Sequence, residues 1–227
     1  MAANDLKPRP VQVAGRCGSD GGKRMKANEL LEKIGACDEA IEWAGSRTIE
    51  EAWRECERSD WMLWLVARLG GVDVRLVVRC ACACAGRALR YMPTSWQCYS
   101  RAAIMVARRW TLGQATLCEV QSAADAADVH TGTVYFGTVA GRVTYATEAG
   151  YRAAIAAIYA DDAVNAADGD AAGYAAESAA DAAACAATAD QYNAARVAEL
   201  REQARVIRAI IPWTAIAIAA QRRREGE

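Results

Sequence analysis

Asp73-Val-Arg-Leu-Val-Val-Arg-Cys-Ala-Cys-Ala-Cys-Ala-Gly-Arg-Ala-Leu-Arg-Tyr-Met-Pro93 is the stretch that decides the fold. Val74, Val77, Val78, Ala81, Ala85, Ala88, Leu89 and Met92 recur at helical spacing and form one apolar face. Arg75, Arg79, Cys82, Gly86 and Arg90 fall on the opposite face. Asp73 can accept a free N–H at the start, and Pro93 stops the run because it has no N–H to give. The reading is an amphipathic helix of about five turns.

Working outward, the neighbours are helical too. Asn28 precedes Glu29-Leu30-Leu31-Glu32-Lys33-Ile34, which ends at Gly35, and Asp38–Ala44 stops at Gly45. Thr48-Ile-Glu-Glu51 is a capping box, and Thr116-x-x-Glu119 is a second one, opening a helix to about Asp128. Ser59 or Asp60 caps a helix with Trp61, Trp64, Leu65 and Leu69 on its apolar side, closed by Gly70-Gly71. Tyr99, Ala103, Val106, Ala107 and Trp110 repeat the pattern. Residues 129–147 are rich in Gly, Thr and Val. They read either as a small β-hairpin near 133–147 or as a glycine-softened helix. Residues 151–190 hold twenty alanines, with Gly169 and Gly173 marking a turn between two helices. A last helix, about Tyr192–Ile211, packs through Val197, Leu200, Ala204, Ile207 and Ile211, and Pro212 ends it.

The expected fold is an all-α multi-helix bundle. Residues 1–26 form a disordered basic tail, 27–212 one helical domain, and 213–227 a short C-terminal tail. Within the domain, helices of 27–128 pack against Ala-rich helices of 129–212. Gly21-Gly22-Lys23 before Met25 suggests that Met25 is the native start.

The 227 residues carry a net charge of −1, but the charge is segregated. Residues 1–26 carry +4, 27–60 carry −6, 61–117 carry +7, 118–195 carry −9 and 196–227 carry +3. Such blocks favour packing between segments, or a dipolar surface that steers a charged partner. The near-zero total argues against a nucleic-acid binder driven by bulk charge. The single histidine, His130, reads as structural and removes most zinc and triad chemistry. Nine cysteines, an odd number with no signal-peptide pattern before them, read as free thiols in a reducing cytoplasm. No window has the ~18 apolar residues of a membrane span.

Cys80-Ala-Cys82-Ala-Cys84 is the tempting metal motif, but successive helical residues turn by about 100°, so Cys82 points away from Cys80 and Cys84. It reads as small residues at a tight helix contact, and no cofactor is expected. Arg75, Arg79 and Arg90, with Arg87 nearby, could grip phosphate or an acidic partner, or pair with the acidic Ala-rich segment. Asp170, Glu177 and Asp181 form an acidic stripe there. Trp43, Trp53, Trp61, Trp64 and Trp110 fit helix core faces, whereas Trp96 follows Pro93 in a loop and is the candidate exposed anchor. No paired acids, phosphate-cradling glycine loop or nucleophile elbow is present.

Several runs resemble small phage- and mobile-element proteins: Leu30-Leu-Glu-Lys-Ile-Gly-Ala-Cys37, Ala52-Trp-Arg-Glu-Cys-Glu-Arg-Ser-Asp-Trp-Met-Leu-Trp-Leu65, Ala107-Arg-Arg-Trp110 and the Ala-rich array that follows. Those proteins are similar to the immunity proteins of bacterial polymorphic toxin systems. The resemblance spans roughly residues 25–212. It implies an all-helical protein that binds a toxin or host factor in the cytoplasm and catalyses nothing. Where that family carries an acidic residue and Arg-Pro-Arg, this chain has Ser95–Arg101, of which Arg101 alone matches the basic part. The rival expectations are nucleic-acid binding through Arg75, Arg79 and Arg90, and an enzyme using cysteines or carboxylates in a cleft.

Overall fold

Local chemistry sets most helix boundaries, and long-range packing sets the exceptions. The computed structural model describes residues 26–91, 94, 97–134, 149, 151, 155 and 191–226. Among the described residues the protein is all-α, with nine α-helices and no strand. They are α1 (Ala27–Ile34), α2 (Asp38–Ala44), α3 (Ile49–Glu55), α4 (Ser59–Leu69), α5 (Val74–Ala88), α6 (Cys98–Thr111), α7 (Leu117–Val134), α8 (Tyr192–Ile210) and α9 (Trp213–Glu225). A 3₁₀ turn, Leu89–Tyr91, extends α5.

Both capping boxes form. The Thr48 hydroxyl accepts from the Glu51 N–H, and the Glu51 carboxylate accepts from the Thr48 N–H at 2.8 Å. Thr116 and Glu119 do the same at the start of α7. Asp73 caps α5 by accepting from the Arg75 N–H. Gly35 ends α1 at φ +79°, a left-handed conformation that suits glycine.

Asn28 is not the cap of α1. The N-cap is Lys26, two residues earlier, and the Ala27 N–H is held by the Arg47 carbonyl at 2.7 Å. Ser59 does not cap α4 either. Its hydroxyl donates to the Gln203 amide oxygen on α8 at 2.7 Å, with both residues fully buried.

α5 is the hub, packed on α4, α6 and α8. That placement corrects the two-faced reading of the helix. Cys80, Ala81, Cys82, Cys84, Ala85 and Ala88 are all fully buried, on both sides, while Val74 stands exposed. Small side chains let three helices approach one rod, and Cys82 donates weakly to the Ile104 carbonyl of α6. α7 lies on α6.

α7 runs past Asp128 to Val134, so 129–134 are helical; the rest of the hairpin alternative, 135–147, lies outside the described residues. So does the Ala-rich stretch 151–190, apart from Tyr151 and Ile155, which are helical and join the core with Ala149.

Residues 213–225 are a packed helix and not a tail. Pro212 ends α8 and supplies the extended N-cap of α9, which turns away at 85°. Ile216, Ala219 and Ala220 recur at i, i+3 and i+4 and bury against α3 and α4. On α8, Leu200, Ala204, Ile207 and Ile211 are buried as expected, but Val197 is half-exposed.

Candidate functional site

α4 carries two apolar faces. Met62, Leu63, Val66 and Leu69 are buried against the bundle. Trp61, Trp64, Leu65 and Arg68 stand at i, i+3, i+4 and i+7 and line a half-open cavity of about 650 Å³. Its floor and walls come from α1, α2 and α3, including Leu30, Leu31, Trp43, Ile49 and Trp53. Only Trp53 of the tryptophans read as core is fully buried; Trp43, Trp61, Trp64 and Trp110 are half-buried.

An arginine stands over each of the three half-buried tryptophans of the groove. The Arg47 guanidinium lies 4.9 Å from the Trp43 ring, Arg58 4.3 Å from Trp61, and Arg68 5.7 Å from Trp64. Trp43 and Trp61 meet edge to face at 6.1 Å. These contacts fix the ring orientations. Arg47 is neutralised by Glu55 at 2.8 Å, and Arg58 by Asp60 at 2.6 Å and Glu39 at 3.6 Å. Cys56 also lines the groove; burial pushes its thiol up to about 11, so it stays protonated and inert.

A polar cluster joins α5 to α8. Glu199 of α8 is 4% exposed. It accepts from Arg87, from Arg90 at 2.5 Å, from Tyr91 at 3.2 Å and from Gln203 at 3.3 Å. Burial pushes the Glu199 carboxyl up, but the bonds and charges of Arg87, Arg90 and Gln203 outweigh it and hold the carboxyl below its ordinary value. The cluster is closed on itself and ties α5 to α8.

The sequence-expected residues therefore separate. Arg90 and its neighbour Arg87 belong to the Glu199 cluster, so Arg90 is no part of an open stripe. Arg75 and Arg79 stay exposed on α5. Arg101 is exposed and donates to Gln97 one turn away. Trp96, Asp170, Glu177 and Asp181 lie outside the described residues. The Cys80-Cys82-Cys84 thiols are raised by burial, Cys80 and Cys82 to about 12. No group of three or more potential ligands converges on a metal position among the described residues. Within the same residues, no single helix is long and apolar enough to cross a membrane.

The groove was missed because Trp61, Trp64 and Leu65 have the same helical spacing as a core stripe. The available signal was surplus: Met62, Leu63, Val66 and Leu69 already supply α4 with a buried face. Comparisons with protein-family models, curated proteins and solved structures gave no match.

Proposed function

We propose that this protein acts by stoichiometric binding, taking an apolar anchor of a protein partner into the tryptophan groove. The observation that carries the reading is the second apolar face of α4, which the bundle leaves open. Tryptophan and arginine are the residue types that most often dominate binding energy at protein interfaces. A cavity of about 650 Å³ accepts one or two large side chains but not a whole helix. The surrounding α1–α3 segment, residues 27–60, carries −6, so the matching partner segment has basic residues flanking its anchor. The resemblance to phage and mobile-element proteins supports the finer reading of a cytoplasmic, immunity-like accessory protein that neutralises a toxin or a host defence factor.

The test is affinity capture from toxin-expressing or infected bacteria with wild-type protein and with Trp61→Ala and Trp43→Ala variants. A captured protein is then purified and titrated. A true groove partner loses tenfold or more in affinity with either variant, about 1.4 kcal/mol or more. It also shields the exposed Cys37 thiol, which lines the groove, from alkylation. A partner that binds both variants like wild type and leaves Cys37 reactive refutes the assignment.

A further inference from the structure

The tryptophan groove is electrically unequal along its length. Two charged residues, Asp60 and Arg68, are among those that line it, in the first and last turns of α4. At the first end Asp60 is held by Arg58 at 2.6 Å, and the exposed Glu39 of α2 lies 3.6 Å from the same guanidinium. Trp43 and Trp61 meet at that end. At the other end Arg68 is exposed, with its guanidinium 5.7 Å from the Trp64 ring. Between the two ends the lining is apolar, including Leu30, Leu31 and Leu65.

The ring contact and the C-terminus of α4 explain why Arg68 rests where it does. Neither satisfies the planar fork of N–H donors, which matches the two oxygens of a carboxylate. Asp60 and Glu39 repel the same group at the opposite end. An anionic head is thereby directed to Arg68 and an apolar tail toward Trp61 and Trp43. Trp61 and Arg68 are seven residues apart, about 10 Å along the helix axis. That is the length of an extended chain of about eight carbons. The cavity of about 650 Å³ also falls within the ~300–1,000 Å³ of small-ligand clefts.

We infer that the groove binds a medium-chain apolar carboxylate, with its head on Arg68 and its tail along Trp64, Leu65 and Trp61. A tail in the groove excludes a protein anchor, so the ligand also gates partner binding. That consequence alone rests on the partner reading above; the ligand site does not.

The experiment titrates the full chain with hexanoate, octanoate, dodecanoate, 1-octanol and octylammonium, followed by tryptophan fluorescence. Octanoate binds saturably and about fourfold more tightly per added CH₂ than hexanoate. Dodecanoate gains far less than the ~250-fold that four further buried carbons would give, because the groove is already filled. Arg68→Gln weakens octanoate about threefold to tenfold and leaves 1-octanol unchanged, a split that a merely structural loss would not produce. In the wild type, octanoate slows alkylation of Cys37, which lines the groove, and not of the exposed Cys98 and Cys118, which do not. The inference is overturned by absence of saturable octanoate binding, or by equal protection of the three thiols. It is equally overturned by an Arg68→Gln effect that is the same for octanoate and 1-octanol, or by octylammonium binding more tightly than octanoate. Failure with octanoate, while a captured protein still needs Trp61, sinks this site and leaves the partner reading intact.

Discussion

Replacing Glu199 tests whether the buried ionic cluster holds the bundle together. Its carboxylate takes hydrogen bonds from Arg87, Arg90, Tyr91 and Gln203. Removing one partner of a fully buried pair costs about 3–5 kcal/mol, mostly from the charge left behind. Here the orphaned cations are not sealed in: the Arg87 side chain is 25% exposed and Arg90 51%. Water recovers part of their solvation, so Glu199→Ala is expected to cost about 2–3 kcal/mol at pH 7. The carboxyl sits below its ordinary value in the folded state. Its stabilisation is therefore complete above the unfolded value of about 4.3 and is lost as pH falls through the folded value. Urea unfolding followed by tryptophan fluorescence, at pH 7 and in steps below pH 5, measures both effects. The wild-type advantage over Glu199→Ala must be large at pH 7 and shrink in acid. A difference under about 0.5 kcal/mol at pH 7, or one that stays constant into acid, refutes the reasoning. A double-mutant cycle on Arg87 and Glu199 should also exceed the cycle on Arg201 and Glu57, a pair whose side chains are 46% and 53% exposed.

Other substitutions probe other links. Ser59→Ala removes the donor to Gln203 and strands a buried amide oxygen; thermal unfolding should register a loss of about 1–3 kcal/mol. Gly35→Ala meets no atom within 4 Å, so any cost, about 1–2 kcal/mol, comes from backbone strain at φ +79°, and a neutral result would show that the turn relaxes. Alkylation of native protein should label Cys37, Cys98 and Cys118 quickly and spare Cys56, Cys80, Cys82 and Cys84 until denaturant is added; mass mapping reads the order directly. Thr48→Ala should lower stability by about 1 kcal/mol through loss of the α3 capping box, measured by the urea midpoint.

Features governed by neighbours within one turn were legible in the sequence. The caps at Thr48, Asp73 and Thr116 needed only three or four residues, and all formed. Features governed by distant partners were not. Ser59 looks like a cap until Gln203, 144 residues away, claims its hydroxyl. Cys82 shares a sequence face with Arg75, Arg79 and Arg90, and its burial at a tight helix contact needs α5 to lie between helices on both sides. Pro212 looks like an end until Ile216, Ala219 and Ala220 are seen to have a surface to bury against. Glu199 left a faint trace, since Glu199 and Gln203 sit at i, i+4 beside the apolar positions Leu200, Ala204 and Ile207. The groove was legible in its residues but not in its vacancy, which depends on how four helices leave a gap.

Arg208 of α8 donates to the Cys56 carbonyl at 2.7 Å, and α9 buries against α3 and α4. The seams among the early helices are thus filled by residues made more than a hundred positions later. During translation the faces of α3 and α4 that α9 covers must wait until the ribosome releases Trp213–Glu225. A chain truncated before Pro212 is expected to leave those faces bare and to be cut by a protease at concentrations that spare the full chain.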